Sequence, residues 1–388
     1  MPISRRRFLS GASALGTTAA FGLTGCPHLP GRARGPVPPG TPASAALVPP
    51  QLPTIREAGT SRNLLAGSAV NVRLLQSEPA YAQLAQQQAD IVVAENEMKF
   101  GPLRPTPDTF FFNDADYLFS FAEKNGMQVR GHNFVWHRQL PSWFASYVTS
   151  QNAQTVLVQH IETVGGRYAG RVQSWDVVNE AIQVSDNLPG GLRNSPWYHL
   201  LGPGYIDVAF ATARRADPKA LLCYNDYGIE GERPEDEAKR AAVLTLIRGM
   251  KSRGTPIDAI GIQSHIVAGP SYNCGAGLTR FMSEIQGMGL KLMLTEMDVN
   301  DRFLPSDIAT RDRAVAAAYD NYLKLTLANT DVIALLTWGL TDKYTWLNNE
   351  DARTDKLPER CLPFDADLRP TPAYMAEVGA IQSVLPRP

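Results

Sequence analysis

Residues 174–181 read Ser-Trp-Asp-Val-Val-Asn-Glu-Ala: an apolar centre, Val177-Val178, that runs straight into Asn179 and Glu180. A short apolar run is how a strand covered on both faces reads. Ending it in an amide and an acid costs free energy unless those groups point at something polar. Working outward, the same pattern recurs. Apolar runs lie at 64–70, 91–94, 127–135, 172–178, 220–224, 257–262, 291–294 and 332–338. Between them lie stretches with helical spacing, such as 114–126 and 235–254, whose closing glycines are helix stop signals.

Eight strand–helix units over 54–388 predict one α/β domain, a single (β/α)8 TIM barrel. The rival is an open, doubly wound sheet. It calls for a glycine-rich phosphate loop after the first strand, and Ala66-Gly67-Ser68-Ala69-Val70-Asn71 lacks the G-x-G-x-x-G spacing.

The ends of the runs carry the functional signal. The second ends in Glu95-Asn96-Glu97-Met98-Lys99, the third in His132-Asn133-Phe134-Val135-Trp136-His137, and the fourth in Asn179-Glu180. The fifth ends in Tyr224-Asn225-Asp226-Tyr227, the sixth in Gln263-Ser264-His265, the seventh in Thr295-Glu296-Met297-Asp298 and the eighth in Trp338-Gly339-Leu340-Thr341-Asp342. In a parallel barrel these ends converge on one mouth. A lone polar strand end means little, but acids, amides, His, Lys and Trp at nearly every end predict a shared cleft. Amides and acids pair with hydroxyls, and indoles stack on sugar rings. Two acids flanking a glycosidic bond are the minimum for its hydrolysis. By position, Glu180 and Glu296 are the best pair.

Composition narrows the field. The chain has 388 residues, 44% hydrophobic and 19% charged, with net charge −1. That is a large globular core with no basic surface for nucleic acid. Cys26, Cys223, Cys274 and Cys361 have no metal-ligand spacing, so neither a metal nor a cofactor is expected. Cys223 sits in an apolar run and reads as a small buried hydrophobe. Cys274 and Cys361 lie in polar stretches, and whether they pair is open.

The first residues form an address. Ser4-Arg5-Arg6-Arg7-Phe8-Leu9 resembles a twin-arginine export signal, and the weakly apolar stretch to Leu23 is short for a membrane span. Leu23-Thr24-Gly25-Cys26 resembles a lipobox, which makes Cys26 a lipidation site; a cleaved signal with a chance cysteine is the alternative. Residues 27–53 are rich in Pro, Gly and Ala and read as a tether. The expectation is residues 1–26 as signal, 27–53 as linker and 54–388 as a monomeric domain, exported and either lipid-anchored in a bacterial envelope or secreted.

The strand ends also carry a resemblance. E-N-E-M-K, G-H-x-x-x-W-H, W-D-V-V-N-E-A, Y-N-D-Y, G-I-Q-S-H, T-E-M-D and T-W-G-L-T-D-K-Y-T-W-L occur in that order. Together they are similar to the family 10 glycoside hydrolases, mainly endo-1,4-β-xylanases, over about residues 57–382. The resemblance implies Glu180 as general acid/base and Glu296 as nucleophile of a retaining reaction on xylan and xylo-oligosaccharides. The two carboxyls of a retaining pair lie about 5–5.5 Å apart. It implies Asn179 at the sugar 2-hydroxyl, His265 bonded to Glu296, and Asp298 orienting His265. Gln263 and Tyr227 complete that shell. Glu95, Asn96, Lys99, His132, Trp136 and Gln139 match glycone-side binding residues, and Trp338 and Trp346 match tryptophans over the glycone subsites.

Each has a plainer alternative: Lys99 neutralising Glu95, His132 a satisfied interior histidine, Trp338 barrel core. Trp175 reads as core, and Asp176 and Asp226 as structural acceptors. The charged loop 348–363, which holds Cys361, departs from the family's commonest pattern and is expected near the cleft mouth. Two other functions compete. One is a β-glycanase of the same barrel type acting on cellulose or mixed glucan. The other is a non-catalytic glycan-binding lipoprotein, against which the matched pair of acids argues.

Overall fold

Strands β1 (Leu65–Val70), β2 (Ile91–Ala94), β3 (Gln128–Val135), β4 (Ser174–Asn179), β5 (Leu221–Asp226), β6 (Ala259–Ile262), β7 (His265–Val267), β8 (Lys291–Asn300) and β9 (Val332–Thr337) are all parallel. Their order is β6-β5-β4-β3-β2-β1-β9-β8, and a β6–β8 pairing closes the ring. Eight strands therefore form a closed barrel, with β7 added on the upper part of β8. This is a computed structural model, and it describes residues 52–270 and 272–388. The expected export signal, Cys26 and the expected tether up to residue 51 lie outside the described residues. A folded unit spans Gln51–Pro388.

The seventh run extends further than its apolar residues indicate. β8 continues through Glu296 and Asp298 to Asn300, because β7 pairs with it at His265↔Asp298 and Val267↔Asn300. Beyond Leu294 buried polar residues, Glu296, Asp298 and Asn300, alternate with the buried apolar Met297 and Val299, so a continuous apolar run marks the strand's end too early. The helical stretches become Asn113–Lys124 and Pro234–Ser252. Gly126 (φ 63) and Gly254 (φ 75) follow their ends in the left-handed conformation that glycine adopts without a Cβ clash.

The barrel interior is layered. Ala69, Ile91, Val93, Cys223, Ala259, Met293, Ala334 and Leu336 form an apolar plug. Beside it Arg130, fully buried, donates to Ser174 Oγ (3.0 Å) and Asp176 Oδ1 (2.5 Å). Removing either partner of such a buried pair strands a charge and costs about 3–5 kcal/mol. Outside the ring, Trp175 stacks on Phe134 (4.2 Å between ring centroids) and donates its indole N–H to Asp217 (3.1 Å), a core residue as expected.

The structure settles the pairing of the cysteines and changes the reading of one. Cys274 and Cys361 are both free thiols, so no disulfide joins them. Cys361 is also fully buried, packed with Leu347 and Leu362. The charged loop turns inward there because one oxygen of Asp342 accepts the backbone N–H groups of Cys361 and Leu362 (both 2.9 Å).

Glu377 stands apart from the site, in the C-terminal helix Pro372–Ser383. It is fully buried, and neither carboxyl oxygen has a hydrogen-bond partner among the described residues. Burial pushes its pKa up to about 8. The unfolded chain then binds fewer protons than the folded one between the ordinary carboxylate range and pH 8. Stability from this group is full at acid pH and is lost as pH rises through that window. A tenfold difference in proton affinity between the folded and unfolded chain corresponds to about 1.4 kcal/mol. Glu377→Gln should therefore lose less stability than the parent between pH 5 and 9, by several kcal/mol in chemical denaturation. Parallel pH profiles would show that Glu377 does not titrate there.

Candidate active site

Two β-bulges decide what faces the mouth. Along β4, Asp176 pairs with Cys223 and Val178 with Tyr224, so Val177 is an extra residue. Val177 and Val178 both pack outward against the helix layer. The bulge resets the phase, and Asn179 pairs with the inward Asn225. Glu180 follows with φ 58, a left-handed conformation that costs a non-glycine residue about 1–2 kcal/mol. It is held there by its N–H to the Asn225 carbonyl (2.9 Å) and by Arg193 Nε on its own carbonyl (2.6 Å). Along β8 a second register shift lies between Leu294 and Met297, both outward core residues. It leaves Glu296 and Asp298 inward.

A chain of amides links the two acids. Gln263 Nε2 lies 3.2 Å from both Glu180 Oε1 and Asn179 Oδ1. Asn225 Nδ2 donates to Asn179 Oδ1 (3.0 Å) and to Glu296 Oε1 (2.6 Å). Thr295 Oγ1 fixes the Asn225 amide by donating to its oxygen (2.7 Å). On the other side, His265 Nε2 lies 3.3 Å from Glu296 Oε2, and His265 Nδ1 lies 2.9 Å from Asp298 Oδ1. Trp346 donates its indole N–H to the second Asp298 oxygen (2.7 Å).

The electrostatics follow. Burial alone would raise the Glu296 pKa, but the hydrogen bond from His265 and the charges of His132 and His265 more than offset it. The carboxyl lies below its usual range and is ionised at neutral pH. Burial would lower His265, yet Asp298 and Glu296 raise it well above the ordinary imidazole value. A cationic imidazole thus sits between two carboxylates, which keeps Glu296 a base with its lone pairs oriented.

The remaining expected residues gather along one arm of the mouth. Asn96 Oδ1 accepts from Lys99 Nζ and from Gln139 Nε2, both at 3.1 Å. Lys99 lies over Trp136 (5.0 Å) and Trp338 (5.6 Å). Burial lowers its pKa, and the carboxylate acting on it most strongly is Glu296, ahead of Glu95. Neutralising Glu95 is therefore not its sole task. Glu95 itself is raised to about 7 by burial and by Glu97. His132 is interior and satisfied, bonded to Asp176 (2.9 Å) and Asn133 (3.2 Å), with Trp338 edge-on at 5.2 Å. Trp338 is half-buried: it caps the barrel plug and floors the arm. Tyr227 lies apart from this arm, its hydroxyl 3.2 Å from Arg193. Asp226 forms an ion pair with Lys239 (2.7 Å) and accepts from Tyr224 and the Tyr227 N–H.

Asn225, Arg193 and His137 were not singled out from the sequence. Asn225 had a signal, a polar residue in the inward phase of β5. His137 (Nδ1 3.8 Å from Glu180 Oε2) closes the third strand-end cluster, whereas Arg193 had no signal, since its loop meets Glu180 only in the fold. Among the described residues no cluster of three or more His, Cys, Asp or Glu side chains is arranged to hold a metal.

A closed parallel barrel whose mouth holds two buried, amide-linked carboxyls beside tryptophans defines a glycoside hydrolase. The model of glycosyl hydrolase family 10 matches residues 54–380. The chain is 36% identical over 300 residues to endo-1,4-beta-xylanase B of Thermotoga neapolitana, covering 76% of this chain and 82% of that one. It is 35% identical over 337 residues to a thermostable celloxylanase of Thermoclostridium stercorarium, covering 78% and 82%. Among solved structures, xylanase 10B of Thermotoga petrophila RKU-1 in complex with xylobiose superposes with a TM-score of 0.77 at 35% identity, covering 86% of this chain and 98% of that one. The chain belongs to glycosyl hydrolase family 10.

Proposed function

We propose that the chain is a retaining endo-1,4-β-xylanase, with Glu296 as nucleophile and Glu180 as acid/base. The observation that carries this is the asymmetry around Glu296: an amide on one oxygen, a histidine cation on the other, and a pKa below the carboxylate range. In the first step a Glu296 oxygen attacks the anomeric carbon. Glu180 gives its proton to the departing glycosidic oxygen, and the aglycone leaves. In the second step Glu180 takes a proton from water, the oxygen adds at the same carbon, and Glu296 departs as carboxylate. Two inversions return the β-anomer. Asn179, held by Asn225 and Gln263, is set to meet the sugar 2-hydroxyl as charge develops.

The test is to incubate the 54–388 domain with β-1,4-xylan and follow product anomers by proton NMR. Early β-anomers of short xylo-oligosaccharides are expected. Early α-anomers would overturn the assigned roles, and binding without products would favour a glycan-binding protein. The relative named a celloxylanase supports a second reading, in which β-1,4-glucan is also cut. Release of sugars from soluble cellulose derivatives at a rate near that on xylan would establish it.

Asn225 is the positioning residue with the most at stake. Asn225→Ala strips a charge-assisted hydrogen bond from Glu296 and frees Asn179, so kcat/KM on aryl xylosides should fall about 10- to 100-fold. A loss under twofold would mean His265 alone suffices. We also propose that the protein is exported through its twin-arginine-like signal and anchored by lipid on Cys26. Cys26→Ser should then move it from the membrane fraction to the soluble one, and an unchanged membrane fraction would exclude that anchor.

A further inference from the structure

Arg138 lies on the loop after β3, between His137 and Gln139. Glu350 ends the short helix Leu347–Glu350 on the loop after β9, four residues beyond Trp346. In the ring these strands are separated by β1 and β2, since the order runs β9-β1-β2-β3. A contact between the two loops must therefore pass over the ends of β1 and β2. Asn96 and Lys99 follow β2 there: Gln139 donates to Asn96 (3.1 Å), Lys99 lies over Trp136 (5.0 Å), and Trp346 lies beside His265 (5.2 Å between ring centroids). Such a contact exists: Arg138 Nη2 lies 3.5 Å from Glu350 Oε2.

Both ends are supported from behind. The Arg138 guanidinium lies over the Trp136 ring at 5.7 Å. The Glu350 N–H bonds the Trp346 carbonyl (3.1 Å), and the next residue, Asp351, accepts from Asn300 (2.9 Å) and pairs with Arg302. The side chains are 47% and 58% exposed. An exposed pair of this kind adds little stability and is screened by salt. What matters is its position, between the loops on either side of the β1 and β2 ends.

We infer that Arg138 and Glu350 are specificity-determining residues that close the glycone groove and bias cleavage toward bonds with few sugars on the glycone side. The inference rests on reading the groove as a xylan site. A longer glycone arm must part the pair or thread beneath it. Parting costs little, so the pair acts as a bias and not a block, and high salt relaxes it. Side groups on the xylan at this stretch meet the same pair.

The test is the bond-cleavage pattern on xylohexaose labelled with ¹⁸O at its reducing end, read by mass spectrometry. The proteins are the parent, Arg138→Ala, Glu350→Ala and the charge swap Arg138→Glu with Glu350→Arg. Each single variant, and the parent at high salt, should shift cleavage about two- to fivefold toward bonds with longer glycone arms, the range an exposed pair supports. The swap should restore the parent pattern. Identical patterns in active proteins, or a swap no closer to the parent than the single variants, would overturn the inference. A parent that does not cleave xylohexaose would instead overturn the xylanase reading on which it rests.

Discussion

Glu296→Ala should abolish measurable hydrolysis, and azide should restore turnover of activated aryl xylosides with inverted stereochemistry. Without the carboxylate no covalent intermediate forms, and the loss should reach about 10⁴-fold or more, as for other covalent nucleophiles. The space vacated lies between Asn225 and His265, donors that bond the carboxylate in the parent. A small anion fits that environment. Azide attacks the anomeric carbon from the face Glu296 used, the aryl oxide leaves, and an α-xylosyl azide results. A β-configured azide from this variant would remove Glu296 from the nucleophile role. The fold should survive, since the substitution deletes a buried charge and leaves the barrel plug untouched.

Glu180→Gln should separate substrates by their leaving groups. On xylan, whose leaving oxygen needs a proton, the rate should fall about 10²- to 10⁴-fold, the usual worth of general acid catalysis. On an aryl xyloside with a good leaving group the first step should proceed almost unimpaired. Water, no longer deprotonated, then becomes slow to release the sugar, so a burst of aryl oxide followed by a slow steady state is expected. Azide should speed the second step and give a β-xylosyl azide, opposite to the Glu296 variant. An equal loss on both substrate classes would place Glu180 outside proton transfer. The two variants distinguish the acids by product stereochemistry, which a merely damaged fold cannot mimic.

Much of this molecule is local in origin and so legible in one dimension. The runs around Val92, Leu222 and Leu335 are continuous apolar stretches because each strand is covered on both faces. Helix stops at Gly126 and Gly254 follow from a conformation that glycine tolerates. The polar clusters closing the strands had to lie together once the ring closed, which brought Glu180 and Glu296 to one mouth. Hydropathy misled where a strand carries buried polar side chains, as β8 does beyond Leu294. It also misled for the loop around Cys361, which is charged in sequence yet folds inward on the Asp342 carboxylate.

The strand–helix rhythm, the barrel it closes into, and the choice of which ends carry acids, amides and indoles were thus written in the linear chain. These follow from periodicity and backbone preference within a few residues. Other features arose only on folding: the bulges at Val177 and beyond Leu294 that turn Asn179, Glu296 and Asp298 inward, the Asn225 amide between the acids, the histidine cation between Glu296 and Asp298, and the Arg138–Glu350 pair between the loops after β3 and β9. The reason is physical. A bulge moves every later side chain to the other face of its strand. The hydrogen bonds that tune Glu296 come from strands whose neighbourhood exists only after the ring has closed.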